Sequence, residues 1–591
     1  IVLRPRGAIT TLSGVVSGAG TNVLEKSDQG TLILSGDNTF SGGLLTSNGY
    51  VIAAHDNALG TAGATFRNNA FSQILASGVR TIGNAFTNTG TGSTQTLGGL
   101  DAGAKTFSGN INLSSRGLAL TAVTGGDTTF TGTISGAFGI TKNGTGTVIL
   151  DPASGGNTFN TGGVTVSQGT LVGEAQAAGD PFGTNNPFTV SNGALRLNNN
   201  TGAANATTST GTLTINSGNA AVIVDGTGSG GNTTTLTFGG LTRTGNSTLT
   251  LKGATTDLGG ATNEVVAFSG APTLTNGTIG TWAAIQASGS NAAHFAGLSG
   301  SNIVTATYGG TGDLDTSAGS TTLFDAGITP STLTANRSVF AFRTNADVDL
   351  GGNTLSIGDG GQAGMILNNG KGVFNGTVNF GTNSLAIYTD DAAPSTINAA
   401  ITNFRSNANS TLSLGLVKYG PGTLELSGNN TFQANVQVNQ GTLSLMTANV
   451  IPVFSNLNGV TGSTVTIQPG ATVLLNDNNQ EFGNLAGTSV VSPVQNTAGT
   501  LNLGTATLVV GRQGSSTTFS GQIIGGAGSK IVKIGGGRLT LDNWDTALPN
   551  SLGTLDIAQG FVSSLATDQS WASPTGFSST IPTTTSILLR G

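Results

Sequence analysis

The sequence predicts an all-β chain, a right-handed parallel β-helix (β-solenoid) drawn out as a single elongated rod over residues 1–591. Three observations predict it. One short pattern occurs four times, its markers are spaced by about one coil, and the composition favours short strands and tight turns. The pattern is a lysine, a glycine four residues later, then alternating apolar residues. The copies are Lys26…Gly30-Thr31-Leu32-Ile33-Leu34, Lys142…Gly146-Thr147-Val148-Ile149-Leu150, Lys418…Gly422-Thr423-Leu424-Glu425-Leu426 and Lys533…Gly537-Arg538-Leu539-Thr540-Leu541. A second marker follows each copy, at Asn48-Gly49, Gln168-Gly169, Gln440-Gly441 and Gln559-Gly560. First glycine to second glycine spans 19, 23, 19 and 23 residues.

A coil of that size cannot bury a core alone. Stacked coils bury alternate side chains in a continuous interior, while backbone groups pair with the coils above and below. Strand alternation therefore sends Leu32 with Leu34, and Leu424 with Leu426, inward. Gly and Asn take the corners that need positive φ. At roughly 20–23 residues per coil and ~4.8 Å between coils, the rod would be on the order of 120–140 Å long. An antiparallel sandwich or a propeller is the rival, and it would need hairpin turns every 8–12 residues or so, or a larger repeat.

Composition agrees with this. Only 8% of residues are charged, against about 25% in typical domains. There are 95 glycines and 36% hydrophobic residues, spread thinly. Low charge with that apolar share argues against ordinary disorder, and no stretch keeps helical spacing for three turns. Strand-like runs such as Thr212-Leu213-Thr214-Ile215 and Thr235-Leu236-Thr237-Phe238 recur to the end of the chain. No linker or charge run marks a boundary, so the chain reads as one continuous solenoid. Its clearest units are 24–51, 140–172, 416–445 and 531–562, and 200–340 is the least regular part.

Several function classes are excluded or disfavoured. The net charge is −6 with Lys and Arg scattered, so no basic stripe is available for nucleic acid. No run of about 20 apolar residues encodes a transmembrane segment. There is no cysteine, which fits secretion of a protein whose coils are held by their neighbours. The opening Ile1-Val2-Leu3-Arg4-Pro5-Arg6 is no signal peptide, so either a signal has been removed or the chain is a segment of something longer.

Two stretches resemble a known family closely. Gly30-Thr31-Leu32-Ile33-Leu34-Ser35-Gly36-Asp37-Asn38-Thr39-Phe40-Ser41-Gly42-Gly43 and Gly422-Thr423-Leu424-Glu425-Leu426-Ser427-Gly428-Asn429-Asn430-Thr431-Phe432 are similar to the passenger-associated transport repeat, also called the autotransporter-associated β-strand repeat. In the second copy extra residues precede Asn157-Thr158-Phe159, and in the fourth Asn543-Trp544 stands where Asn-Thr-Phe is expected. The resemblance implies a large bacterial surface or secreted protein, extracellular, with a parallel β-helix. Some members carry a C-terminal barrel translocator, which is not seen here. The ending Thr585-Ser586-Ile587-Leu588-Leu589-Arg590-Gly591 is strand-like, as is the start. Both ends read as pieces of the same repeat in a longer protein. The sharper expectation is self-association, head to tail through open solenoid ends, into filaments.

Candidate chemistry is sparse. His55 and His294 have no triad or metal-site partners at a useful spacing. Asp347 and Asp349 alternate with Val348 and Leu350 and read as a solvated face, and Asp390-Asp391 reads as a turn. Gly358-Asp359-Gly360-Gly361 resembles one fragment of a calcium-binding β-roll, which needs tandem copies. Asn476-Asp477-Asn478-Asn479 reads as a turn, and Gly226–Gly231 lacks the lysine-serine ending of a phosphate loop. Trp282, Trp544 and Trp571 are too dispersed to argue a sugar-stacking platform. No catalytic residue, metal site or cofactor is expected. The structural repeat residues are Lys26, Gly30, Lys142, Gly146, Lys418, Gly422, Lys533 and Gly537. The lysines are expected at corners, stems packed and ammonium groups in water.

These readings favour a non-enzymatic structural protein. An adhesin passenger contacting glycans or cell surfaces is the alternative, marked by an exposed aromatic or acidic groove. A carbohydrate-active β-helix is a third reading, which requires carboxylates clustered in a cleft.

Overall fold

The computed structural model describes residues 1–591 apart from 68–70, 91–94, 153–154, 176–178, 203, 210, 260–262, 318, 404–414, 454–461, 488–497, 543–549, 565–585 and 590–591. Among the described residues the chain is strands and turns, with a single 3-10 turn at Leu314–Thr316. The strands stack parallel and in register as a β-solenoid of about 22 turns.

Alternation within each strand builds the coil. Leu32, Leu34, Val148, Leu150, Leu424 and Leu426 are fully buried, while Ile33, Ile149 and Glu425 between them are half-exposed. In the first stack one face is a seven-stranded column from Val2–Leu3 through Leu24–Lys26 to Ile134–Gly136. A second column runs from Thr31–Leu34 through Gly49–Ala53, Ser72–Ala76, Gln95–Gly99 and Leu118–Thr121 to Ile140–Asn143. A third joins Arg80–Ile82, Gly103–Phe107, Gly126–Phe130 and Thr147–Leu150. In-register pairing stacks like on like: Phe107 and Phe130 are partners and their rings lie 5.2 Å apart at 13°. The lysine strand of the first repeat stands on the first column and that of the second repeat on the second. The repeat therefore shifts by one face along the stack.

Among the described residues the parallel stacking is broken inside the 200–340 stretch. Ala283–Gln286 pairs parallel with Thr248–Gly253 below it but antiparallel with Ala293–Ser299, which pairs antiparallel with Asn302–Thr305. This meander covers the open edge of the first stack, which would otherwise present unpaired backbone groups. Parallel stacking resumes at Gly310–Thr311, Gly319–Asp325 and Arg337–Thr344.

Two separate apolar cores result, one between Leu24 and Ile303, the other between Leu314 and Leu555. A third, small core joins them side by side. It includes Ala293 and Phe295 of the meander with Phe340, Ile366, Tyr388 and Tyr419 of the second stack. Polar bonds cross this seam. The Tyr419 hydroxyl donates to the Thr281 carbonyl at 3.0 Å, and Asn439 Nδ2 donates to the Asn246 carbonyl at 2.8 Å.

Candidate functional site: the lysine corner and the polar residues around it

Each repeat lysine is the inward residue at or next to the end of its strand, and its ammonium is buried. Lys26, Lys142, Lys418 and Lys533 are each at most 1% exposed. The expectation of ammonium groups in water is therefore corrected. Strand alternation already pointed these side chains inward, with Ile140 beside Lys142 and Leu416 beside Lys418. The corner that follows turns its own carbonyls toward the interior. Lys142 Nζ donates to the carbonyls of Asn143 at 2.8 Å, Gly144 at 2.7 Å and, one coil on, Gln168 at 3.1 Å. Lys418 repeats this with Tyr419 at 3.0 Å, Gly420 at 2.8 Å and Gln440 at 3.0 Å. Lys26 reaches Asp28 and Asn48, each at 2.6 Å, and Ser27 at 3.4 Å. Lys533 reaches Ile534 at 2.6 Å, Gly535 at 2.8 Å and Gln559 at 3.4 Å.

The reason for lysine is the donor count. An ammonium carries three donors on a flexible stem, and the corner offers three buried carbonyls that need partners. Burial pushes Lys26 down to about 8, with the charge of Asp28 opposing, and Lys142 down to about 7. It takes Lys418 well below the ordinary lysine range and lowers Lys533 as well.

Both glycines of the pattern are explained by the same corner. At Gly422 a Cβ would sit 1.6 Å from the Asp390 carbonyl oxygen of the coil below, so the backbone passes too close for any side chain. Gly441, with φ +71°, carries its Cα over the cage: a Cβ there would lie 2.4 Å from the Gly422 oxygen and 2.8 Å from Lys418 Nζ. Gly30, Gly146 and Gly537 make the first kind of close approach, and Gly49, Gly169 and Gly560 make the second against the corner carbonyls.

The Asn-Thr-Phe element adds a second coil-to-coil clamp. Asn38 Oδ1 accepts from Val16 N–H of one neighbouring coil at 2.8 Å, and its Nδ2 donates to the Ala58 carbonyl of the other at 2.7 Å. Asn157 bridges Ile134 and Pro181, and Asn430 bridges Ile401 and Val450, in the same way. Phe40, Phe159 and Phe432 are buried beside them. Asn543-Trp544 lies outside the described residues. The N–H of Ile523 meets Asn550 Oδ1 at 2.7 Å, the accepting half of such a clamp.

Two buried ionic groups carried no sequence signal. Lys105 fills a corner outside the four repeats, donating to Ala102 and Gly103 carbonyls at 2.7 and 3.1 Å and pairing with the Asp101 carboxylate at 2.7 Å. Glu264 is fully buried and accepts from the backbone N–H groups of Gly226, Thr255 and Thr256. Gly226 thus serves a carboxylate of the chain itself.

The remaining candidates are dispersed. Asp347 accepts from Gly372 N–H at 3.0 Å and faces Lys371 at 3.9 Å, while Asp349 accepts from Gly351 N–H. Asp390 is buried and accepts from Asn369 N–H at 2.8 Å. Asp391 and Asp359 reach across the seam to Asn291 and Asn276, at 2.9 and 3.0 Å. Asn476 and Asp477 both have positive φ, and Asp477 accepts from Thr505. His55 stands beside Asp37 at 4.0 Å. His294 is half-buried at the seam near Tyr308. Trp282 lies under the Arg243 guanidinium, 5.0 Å away, while Trp544 and Trp571 fall outside the described residues. Among the described residues no group of three or more His, Cys, Asp or Glu is placed to hold a metal ion. No helix among them is long and apolar enough to cross a membrane.

One shallow groove, of about 450 Å³, is lined by Thr129, Ile149, Asp151, Glu174, Ala175, Asn200 and Thr201. Leu150 pairs with Gly173, so Asp151 and Glu174 follow side by side on adjacent coils of one wall. Burial raises the Glu174 carboxyl, and the charge of Asp151 adds to that, against bonds from Asn198 and Asn200 at 2.8 and 2.7 Å. Thr141, Thr165, Thr189, Thr214 and Thr242 form one in-register column.

Residues 24–51, 140–172 and 416–445 match the passenger-associated-transport-repeat family. The chain carries this repeat at three places. The matched segments hold Lys26, Lys142 and Lys418 with both glycines of each corner. In this chain each matched segment is, in physical terms, a lysine cage followed by an asparagine clamp. Lys533 builds the same cage outside the matched residues. No curated protein and no solved structure matches the chain.

Proposed function

We propose that this protein is an extracellular structural solenoid, a non-enzymatic passenger-type segment of a bacterial surface or secreted assembly. The observation that carries the reading is where the repeat spends its polar groups. The lysine and the asparagine are buried, and with both glycines they serve the bonding of coil to coil. Dense backbone pairing and few charges suit a stiff rod exposed to proteases. Surface protease treatment of intact producing cells, with imaging of the released material, tests this. Digestion or release of the chain as rods supports it, and a chain confined to the cell interior refutes it. The same images decide whether rods associate end to end.

The groove beside Asp151 and Glu174 favours a second reading, a carbohydrate-active or glycan-binding passenger. Paired carboxylates are the machinery of glycoside cleavage, but here both stand on one wall and Glu174 is held by two amides. Loss of sugar binding or cleavage in E174Q would support that reading, and an inert protein across a glycan panel would remove it.

A further inference from the structure

Sulfur occurs in two side chains of this protein, Met365 and Met446, since there is no cysteine. Their places in the coil differ. Met365 points into the core of the second stack and is fully buried. Met446 follows the strand Thr442–Leu445 at an outer corner and is 40% exposed. Its N–H donates to the Leu426 carbonyl of the preceding coil at 2.9 Å. The backbone is thereby fixed, and the side chain lies on the surface.

The thioether meets more than water. Ser444, two residues back and buried, turns its hydroxyl to the Met446 sulfur at 3.3 Å. From the next coil, Asn476 Nδ2 stands 3.3 Å from the same sulfur. Asn476 has φ +48°, a left-handed corner that asparagine tolerates. Its amide also donates to Ser444 Oγ at 2.7 Å, and it lies 3.5 Å from the Leu445 carbonyl. Donors from two coils therefore converge on a thioether, which is a weak acceptor. In the lysine cages and asparagine clamps, by contrast, the acceptors are carbonyl and amide oxygens.

We propose that Met446 is an oxidation site whose sulfoxide fastens its own coil to the coil of Asn476. The oxidant is a peroxide. A sulfur lone pair attacks one peroxide oxygen, so an S–O bond forms as the O–O bond breaks. With hydrogen peroxide, the proton on the transferred oxygen passes to the departing hydroxide and water leaves. Sulfur gives up two electrons and the peroxide takes them. The product carries a polar oxygen where the thioether had none. The side chain is exposed and unbranched, so rotation about its bonds brings that oxygen to the Ser444 hydroxyl and the Asn476 amide without opening the coil. In a core the same oxidation disrupts packing. At this corner it exchanges two weak hydrogen bonds for stronger ones. The site stands on a sulfur and two donors, and does not depend on the passenger reading.

Hydrogen peroxide applied to the full folded chain should add one oxygen at Met446, read by peptide mass spectrometry, and leave Met365 reduced until the coils unfold. Hydrogen exchange then compares the two forms. The Asn478 N–H closes the Asn476 corner onto the Leu475 carbonyl at 2.9 Å. Its protection should rise about three- to tenfold on oxidation, the gain expected of one improved hydrogen bond. Methionine sulfoxide reductases, one for each epimer, should return both mass and protection to their starting values. N476G keeps the positive φ and removes the donor, so it should take up oxygen with no gain in protection. Oxidation of Met365 as fast as Met446 overturns the site, and a gain that persists in N476G overturns the fastening. So does protection at Asn478 that is unchanged or falls when the wild-type protein is oxidised, a result that needs no variant to fold.

Discussion

Lys418 and Gln440 lie one coil apart, and Lys418 Nζ donates to the Gln440 carbonyl at 3.0 Å while holding both carbonyls of its own corner. A buried lysine side chain thus ties two turns of the solenoid together with no carboxylate involved. K418A would leave three buried carbonyls without donors and a void where the stem packed. Each buried carbonyl left without a donor costs about 1–3 kcal/mol. K418M fills the void but not the bonds, and should fall between wild type and K418A. Local hydrogen exchange is the suitable measurement, because a long solenoid need not unfold in one step. Protection at Asn439 and Thr442 should drop at least about a hundredfold in K418A. Unchanged protection there would show that the lysine does not hold the corner.

Gly441 should tolerate no side chain at all. Its φ of +71° alone costs an alanine about 1 kcal/mol. The Cβ would also lie 2.4 and 2.5 Å from the Gly422 and Gly420 oxygens, so two coils must part. Gly514 has φ +70° and open space, and Gly536 has open space without positive φ. Thermal melts should therefore rank G536A near wild type, G514A slightly lower and G441A far lower. Equal effects at Gly441 and Gly514 would mean the close approach does not matter.

Asn430 joins three coils through one side chain, accepting from Ile401 N–H at 2.7 Å and donating to the Val450 carbonyl at 3.0 Å. N430A orphans both groups, at about 1–3 kcal/mol each. N430D keeps the acceptor but turns a carboxylate oxygen toward the Val450 carbonyl. It should be as damaging as N430A at pH 7 and partly recover in acid, where the protonated acid can donate. Urea unfolding at pH 7 and pH 4 compares the three proteins, and an N430D curve indifferent to pH would contradict this arrangement.

The coil was legible because its signals are local. Alternation places Leu32, Leu34, Leu424 and Leu426, and the Gly-to-Gly spacing sets the coil length. The same alternation put Lys142 beside Ile140 on the inward face, yet a lysine is ordinarily expected to keep its charge in water. Only the three-dimensional corner reveals carbonyls numerous enough to replace that water. The seam was hidden for a different reason. Tyr419 and Thr281, or Asn439 and Asn246, meet across more than a hundred residues, and no short-range pattern encodes such a meeting. Glu264 was equally silent, since its N–H donors at Gly226, Thr255 and Thr256 belong to the backbone and carry no residue signature.

Asp180 offers a pH test inside a single coil. Burial raises its carboxyl to about 7, against the opposing bond from Phe182 N–H at 2.7 Å. The folded coil therefore prefers the neutral acid, whereas the unfolded chain ionises near 3.8, the ordinary value for aspartate. Stability from this group is complete below about 3.8, is lost as pH rises, and levels off above about 7. D180N keeps an oxygen for Phe182 and never ionises. Wild type and D180N should unfold alike at pH 4, and D180N should be the more stable at pH 7.5. Between those values the ratio of their unfolding constants should rise by up to about tenfold per pH unit. Parallel stability curves from pH 4 to 7.5 would show that the Asp180 carboxylate is solvated in the fold. The Asp180 carbonyl, which receives Asn157 N–H at 2.9 Å, would then anchor the clamp without help from its side chain.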